Sequence, residues 1–353
     1  RLGSSGNSLD FRFRLEQLPD AQEGKVSSFE SGAAGDSLYY NTIFTFQWDG
    51  SLKGYHVAAI IKNTDGSLSA EDGWITVSEA SEILIYFDVQ LSHSLPIEPA
   101  QHIHRVTGSY SELLEDHENI HAEMFNRFSL QIGDGINPDL TAEDIIARNR
   151  ANAFTDNLVN QLCEASRYIS ISSTGDNPPT LQGIWGGTWR PEWSSDFTLN
   201  GNVQSAIASG FNTNLFELTE SYINLMLKFY DDFENLARGL YDTPGIMIPS
   251  RVSNTGFFPV FNRDYPMICW YAGSAWAAQY FYDYWQYTGD SAFLTEKAIP
   301  FMMASMDFYK SIITYDNQDN YAFIPSYSPE QGPREDFKLA INATMDVAAL
   351  RQL

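Results

Sequence analysis

Carboxylates and amides are the side chains of this sequence best placed to do chemistry. The run Pro178–Asn202 reads PPTLQGIWGGTWRPEWSSDFTLNGN. It carries Trp185, Trp189 and Trp193, the acid Asp196 and, at alternate positions, the amides Asn200 and Asn202. Indole faces stack on the C–H faces of a sugar ring, and fixed amides and carboxylates answer its hydroxyls. Asp196 reads either as an ionised partner or as the cap of a following helix. The two asparagines point to one side if their segment is extended and are turn residues otherwise. Further along, PSYSPEQGP sets Glu330 after a proline in an aromatic loop. Such a loop can desolvate a carboxyl group and raise its pKa, as a general acid at neutral pH requires. A surface glutamate in a turn is the plainer reading, and both stay open. Asp264 and Asp346 read as structural.

All six histidines, at 56, 93, 102, 104, 117 and 121, precede the tryptophan-rich run. A Ser–His–Asp triad or a histidine-ligated metal built within the later half is therefore excluded. What remains belongs to glycoside chemistry. His117-Glu118-Asn119-Ile120-His121 does match the H-E-x-x-H zinc signature. The same helical face carries Leu113, Met124, Phe125 and Phe128, however, and no clear third ligand follows, although Glu143 is conceivable. The segment reads as a packing helix with partly buried histidines, so no metal is expected.

These residues need a scaffold. At 353 residues the chain is too long for one ordinary core, so two domains are expected. Residues 1–105 read as β: Leu38–Phe46, Tyr55–Lys62 and Glu82–Gln90 are β-branched and aromatic runs, with turns at 48–50 and 64–66. That spacing suggests an antiparallel sandwich. From Ser109 the period becomes helical. Helices are expected over Ser109–Gly133, Ala151–Ile171, Val203–Ser209, Leu215–Leu236, Ala272–Thr288, Glu296–Ile313 and Ala343–Leu353. Long loops at Tyr241–Met267 and Asp316–Leu339 separate some of them. Helix pairs joined by long loops suggest a helical toroid with its site at one mouth.

A net charge of −24 argues against nucleic acid and anionic membrane surfaces as partners. Acidity with 14% aromatic residues fits a secreted or periplasmic hydrolase acting on neutral glycans. No signal peptide and no apolar run of bilayer length is visible, and the abrupt start at Arg1 reads as an internal piece of a longer chain. Cys163 and Cys269 are either a disulfide or two buried thiols.

The blocks YSELLEDHENIHAEMFNRFSLQIG, ASRYISISSTGDNPPTLQGIWGG, WSSDFTLNGNVQ, WYAGSAWAAQYFYDYWQYTGDSAFL, PSYSPEQGP and ATMD, in that order, resemble glycoside hydrolase family 95 over about residues 75–353. The resemblance implies a β-sandwich (1–105), a helical linker (106–140) and the first part of an (α/α)6 barrel (141–353), left incomplete in this chain. It implies an inverting exo-hydrolase that removes terminal α-L-fucose, with no cofactor. Glu330 matches the general acid. Asn200 and Asn202 match the pair holding the nucleophilic water for a general-base aspartate, expected beyond Leu353. Asp196, Thr198, Trp185 and Trp193 are expected to line the substrate subsite. Two departures stand out. Thr198 replaces a histidine that lines the family's sugar pocket, which makes an α-L-galactosidase a serious alternative, because a smaller polar residue suits an added 6-hydroxyl. SAIASG after Gln204 replaces an MNYWP-like run, which leaves room for a non-catalytic glycan-binding relative.

Overall fold

The computed structural model describes residues 1–3, 8–17, 24–63, 65–97, 108–152, 155–258 and 261–353, with Ala151 and Asn152 described in their backbone alone. His102, His104, Thr64 of the expected turn, and the expected domain edge at 105–106 lie outside the described residues. The chain divides into two compact units, Arg1–Ile120 with Gly186–Pro191, and His121–Trp185 with Glu192–Leu353.

The first unit is antiparallel β. One sheet has the order β1 (Leu2–Gly3), β8 (Glu82–Ser92), β5 (Gly54–Asn63), β4 (Ser37–Phe44), β3 (Val26–Ala34); the other runs β2 (Leu9–Phe13), β7 (Trp74–Ala80), β6 (Ser67–Glu71). Leu38, Ala59 and Ile61 of the first sheet and Ile75, Val77 and Ala80 of the second share one buried cluster. β5 is the central strand, and its near-continuous apolar run is buried along almost its whole length. β3 escapes sequence detection because VSSFESGAA is an edge strand with most residues exposed and little apolar alternation. The turn expected at 48–50 is present, closed by the Ser51 N–H donating to the Trp48 carbonyl at 3.1 Å.

Helices follow. α1 (Tyr110–Phe125) starts on a capping box: the Ser109 N–H donates to Glu112 at 2.7 Å and the Glu112 N–H to Ser109 Oγ at 3.3 Å. α2 (Ala142–Asn152) starts on a second such box between Thr141 and Asp144. Its polar sequence, AEDIIARNRAN, hides it from a periodicity reading. Then come α3 (Asp156–Ser173), α4 (Asn202–Ile207), α5 (Phe216–Lys228), α6 (Tyr230–Tyr241), α7 (Gly273–Thr288), the short α8 (Ser291–Phe293) with a π turn at Leu294–Ala298, α9 (Ile299–Ile312) and α10 (Thr344–Gln352). The single helix expected over Leu215–Leu236 is two, broken at Phe229, whose φ of −103° and ψ of 15° leave the helical well. The apolar spacing Leu218, Tyr222, Leu225, Met226, Phe229, Phe233, Leu236 runs through the break, so periodicity cannot register it. Among the described residues, no helix is long and apolar enough to cross a membrane.

The helical core centres on Tyr222, Phe233, Phe281 and Phe301, with Phe281 and Phe301 stacked at 4.0 Å. Gly245 passes close against α9 with φ +81°, and a Cβ there would lie 2.2 Å from the Ala304 carbonyl oxygen and 2.6 Å from the Phe308 nitrogen. Gly245→Ala therefore combines a left-handed backbone with a clash against main chain, and is expected to cost about 2 kcal/mol or more. Thermal unfolding measures it, and an unchanged Tm contradicts this account of the packing.

Candidate active site

The cavity of the helical unit grows from a two-residue ladder. β9 (Phe197–Thr198) pairs antiparallel with β10 (Arg251–Val252), Thr198 opposite Arg251. The Leu199 N–H then donates to the Ser250 carbonyl at 2.7 Å. This brings Asp196 beside Arg251. The Asp196 side chain is almost wholly buried; it is ion-paired with Arg251 and accepts from Thr198 Oγ1 at 2.6 Å. Burial pushes its carboxyl up from the ordinary aspartate value, while the Thr198 hydrogen bond and the Arg251 guanidinium oppose that shift. Arg251 also donates to the Trp193 carbonyl at 2.6 Å and lies 4.9 Å from the Phe258 ring centroid.

That carbonyl belongs to a strained segment. Trp193, Ser194 and Ser195 have φ values of +53°, +60° and +48°, three successive left-handed residues with side chains. Each costs on the order of 1–2 kcal/mol. Arg251 holds one end, and the Thr180–Ser195 hydroxyl contact at 2.9 Å holds the other.

The strand ends at Thr198, so the two asparagines are not aligned by extended alternation. Asn200 sits in the turn and Asn202 opens α4. The turn is held from below by buried Gln204, whose Nε2 donates to the Leu199 carbonyl at 2.5 Å and to Tyr222 Oη at 3.3 Å, while Tyr280 donates to the Gln204 carbonyl at 3.2 Å.

Glu330 lies in a turn closed by the Gln331 N–H donating to the Ser328 carbonyl at 2.7 Å. It is exposed. Of the two readings left open, its exposure matches the surface glutamate in a turn: the aromatic residue of the loop, Tyr327, is fully buried while the acid is not. Asp346, in the first turn of α10, is fully buried and carries a carboxyl pushed up to about 6 by burial.

Trp193, Asp196, Thr198, Asn200, Asn202 and Glu330 all line one half-open cavity of about 340 Å³, a size suited to a small ligand. Trp185 does not line it; its ring packs over Gly183, where an added Cβ would meet it at 2.7 Å. Trp189 falls in the other unit, against Phe44 and Tyr55. The three-tryptophan platform is therefore divided, with one indole at the cavity. Ser250, Arg251, Asn262, Tyr265 and Met267 also line it and were not singled out by sequence, although all fall in or beside the loop flagged at Tyr241–Met267. Asn262 Oδ1 accepts from the Asp264 and Tyr265 N–H groups, which shapes that loop; Asp264 itself is exposed and outside the cavity.

His117 is exposed rather than partly buried, and His121 packs against Phe125 and Tyr168. Among the described residues no group of His, Cys, Asp and Glu is arranged to hold a metal ion. Cys163 and Cys269 are both free thiols.

Amides and carboxyls gathered beside an indole suit the binding of a sugar, and the sequence match places the chain among the glycoside hydrolases. The chain belongs to one family of that class: residues 109–353 match the glycosyl hydrolase family 95 catalytic domain. It is 30% identical over 239 residues to "Probable alpha-fucosidase A" of Aspergillus niger, covering 64% of this chain and 29% of that protein. It is 26% identical over 273 residues to "Alpha-L-fucosidase 2" of Arabidopsis thaliana, covering 73% of this chain and 32% of that protein. The matched stretch thus spans about a third of the length of these relatives. In fold the chain is similar to a human-microbiome protein described as a kojibiose phosphorylase, with a TM-score of 0.65 at 12% identity over 97% of this chain and 44% of that one.

Arg251→Met leaves the buried Asp196 carboxylate without its cation, at an expected cost of about 3 kcal/mol. Asp196 then has a folded-state pKa raised above its unfolded value, so stability is present at low pH and lost as pH rises through the folded pKa. The Tm deficit of Arg251→Met against wild type is expected to be larger at pH 7 than at pH 4.5; an equal deficit at both contradicts the pairing.

Proposed function

We propose that the protein is an exo-acting glycoside hydrolase that removes terminal α-L-fucose from glycans with inversion. The observation that carries this is the shared cavity: Glu330 at its rim and Asn200 and Asn202 on its wall. In an inverting enzyme one carboxylic acid protonates the departing oxygen while a base activates water on the opposite face, with roughly 6.5–9.5 Å between the two. Glu330 is the acid in this reading, and its carboxyl loses water when the sugar fills the cavity. Asn200 and Asn202 hold the water: a neutral amide oxygen cannot take a proton at neutral pH but can orient an O–H. The base is an aspartate beyond Leu353, as the family resemblance implies. Asp196 and Trp193 complete the sugar subsite, the indole offering a face to the ring. Trp185, outside the cavity, is given no part in this subsite.

The architecture proposed with it is a β-sandwich over 1–105, a linker over 106–140 and the first part of an (α/α)6 barrel over 141–353, in a secreted or periplasmic protein. The two packed antiparallel sheets and the succession of helices support it. The substrate is a glycan, and the acidic chain speaks against nucleic acid.

One observation favours a second reading, an α-L-galactosidase. Thr198 takes the place of the family's histidine, and its hydroxyl hydrogen is engaged by Asp196, so its oxygen remains an acceptor for a sugar hydroxyl. L-Galactose differs from L-fucose by that added 6-hydroxyl.

Glu330→Gln in the full-length enzyme is expected to lower kcat on oligosaccharides by about 10²–10⁴-fold, and near-wild-type turnover rejects the assignment. NMR should show the product first as the inverted anomer; retention rejects the mechanism. Binding of sugar with no turnover in the wild type identifies a non-catalytic relative instead. Thr198→His should move the fucoside-to-galactoside ratio of kcat/KM towards fucoside by about 10-fold, measured on paired aryl glycosides; an unmoved ratio removes Thr198 from specificity.

A further inference from the structure

Asp346 is a fully buried carboxylate that the proposed chemistry does not use. The titratable groups facing it are Tyr241 of α6, Cys269 and Tyr271 of the segment before α7, and Tyr309 of α9; none is a cation. A buried carboxylate without a cation is costly unless N–H and O–H donors surround it. Here they do. Oδ1 accepts from the Tyr271 N–H at 2.9 Å, and Oδ2 accepts from Ser326 Oγ at 2.6 Å.

These donors come from two segments that both reach the cavity. Tyr271 follows Met267, which lines it. Ser326 precedes Glu330 by four residues. Ser326 is the hub: its hydroxyl donates to Asp346 and accepts from the Ala343 N–H at 3.0 Å, while its main chain exchanges two bonds with Ala340, at 2.8 and 2.7 Å. The Tyr327 N–H donates to the Cys269 carbonyl at 2.9 Å. The start of the acid's turn is thus tied by main-chain bonds to Ala340 and Cys269 and, through the Ser326 hydroxyl, to one buried carboxylate.

We propose that Asp346 is a positioning residue for the reaction, holding the Ser326–Glu330 segment so that the Glu330 carboxyl reaches the glycosidic oxygen. The inference rests on the assignment of Glu330 as general acid. Proton donation depends on hydrogen-bond geometry, and a displacement of an ångström at the donor is enough to lose much of its effect. Asn at 346 keeps the volume but turns one acceptor into a donor aimed at the N–H and O–H groups that now point at it, which releases the segment.

The test uses the full-length enzyme and two substrates: an α-1,2-linked fucosyl oligosaccharide, whose leaving group needs a proton, and 2,4-dinitrophenyl α-L-fucoside, whose leaving group does not. Asp346→Asn is expected to lower kcat on the oligosaccharide by about 30-fold, with KM and the dinitrophenyl rate within about threefold of wild type. Ser326→Ala, a milder change, should show the same split at about fivefold, and it decides the matter if Asp346→Asn does not fold. Equal losses on both substrates, or none on either, overturn the inference, because a merely structural role does not distinguish leaving groups. Glu330→Gln serves as the reference. If it lacks the split, the acid assignment itself has failed; if it shows the split and the other two variants do not, only the positioning role of Asp346 is overturned.

Discussion

The ion pair of Asp196 with Arg251 is the interaction on which the cavity depends. An isolated buried carboxylate is not tolerated, and a half-buried guanidinium needs acceptors. The two-residue ladder of β9 and β10 satisfies both by setting Thr198 opposite Arg251. Once that register is set, the rest of the wall follows. Thr198 is oriented by its bond to Asp196, the Trp193 carbonyl is captured by Arg251, and the chain is delivered at Leu199 to the turn that carries Asn200. The left-handed run at Trp193–Ser195 persists because it is tied at both ends. Strain of this kind is held only where the surroundings over-determine the backbone.

The segment that carries Glu330 to the cavity is built on the same logic, with no cation beside its buried aspartate among the described residues. Asp346 joins two loops by accepting from the Tyr271 main-chain N–H and the Ser326 hydroxyl. Two buried aspartates thus anchor two irregular segments, and the helices supply the rigid frame behind them. Tyr222, Gln204 and Tyr280 connect that frame to the asparagine turn through buried hydrogen bonds. A site of exposed polar groups on loops needs such anchors, since loop backbone has no ladder of its own to restrain it.

Much of this was legible from the chain. The β-branched and aromatic runs Tyr55–Lys62 and Glu82–Gln90 announced strands, because such side chains favour a pleated, buried surface. The cluster of amides and the SPE loop marked residues that the fold brings to one cavity. Other parts were not legible, for identifiable reasons. The break at Phe229 leaves the apolar spacing intact. β3 and α2 are mostly polar, so no pattern marks them. Arg251 looked like any loop arginine, because its meaning lies in an aspartate 55 positions away that pairs with it only when β9 meets β10. The three tryptophans looked like one platform because they are close in sequence, yet local spacing says nothing of where an irregular chain turns, and they separate in space.

The sequence by itself determined the residue types available for chemistry, the order of strands before helices and the family to which the chain belongs. Composition, periodicity and motif order are properties of the chain alone. Only the tertiary structure decided which of those residues share a cavity, that Glu330 stands exposed at the rim while Tyr327 turns inward, and that Asp346 sits at the crossing of two loops. Burial and partnership depend on segments distant along the chain. The energy that singles out one buried carboxylate as an ion-pair member and another as the acceptor of an N–H and an O–H is set by what packs around each, which no local pattern records.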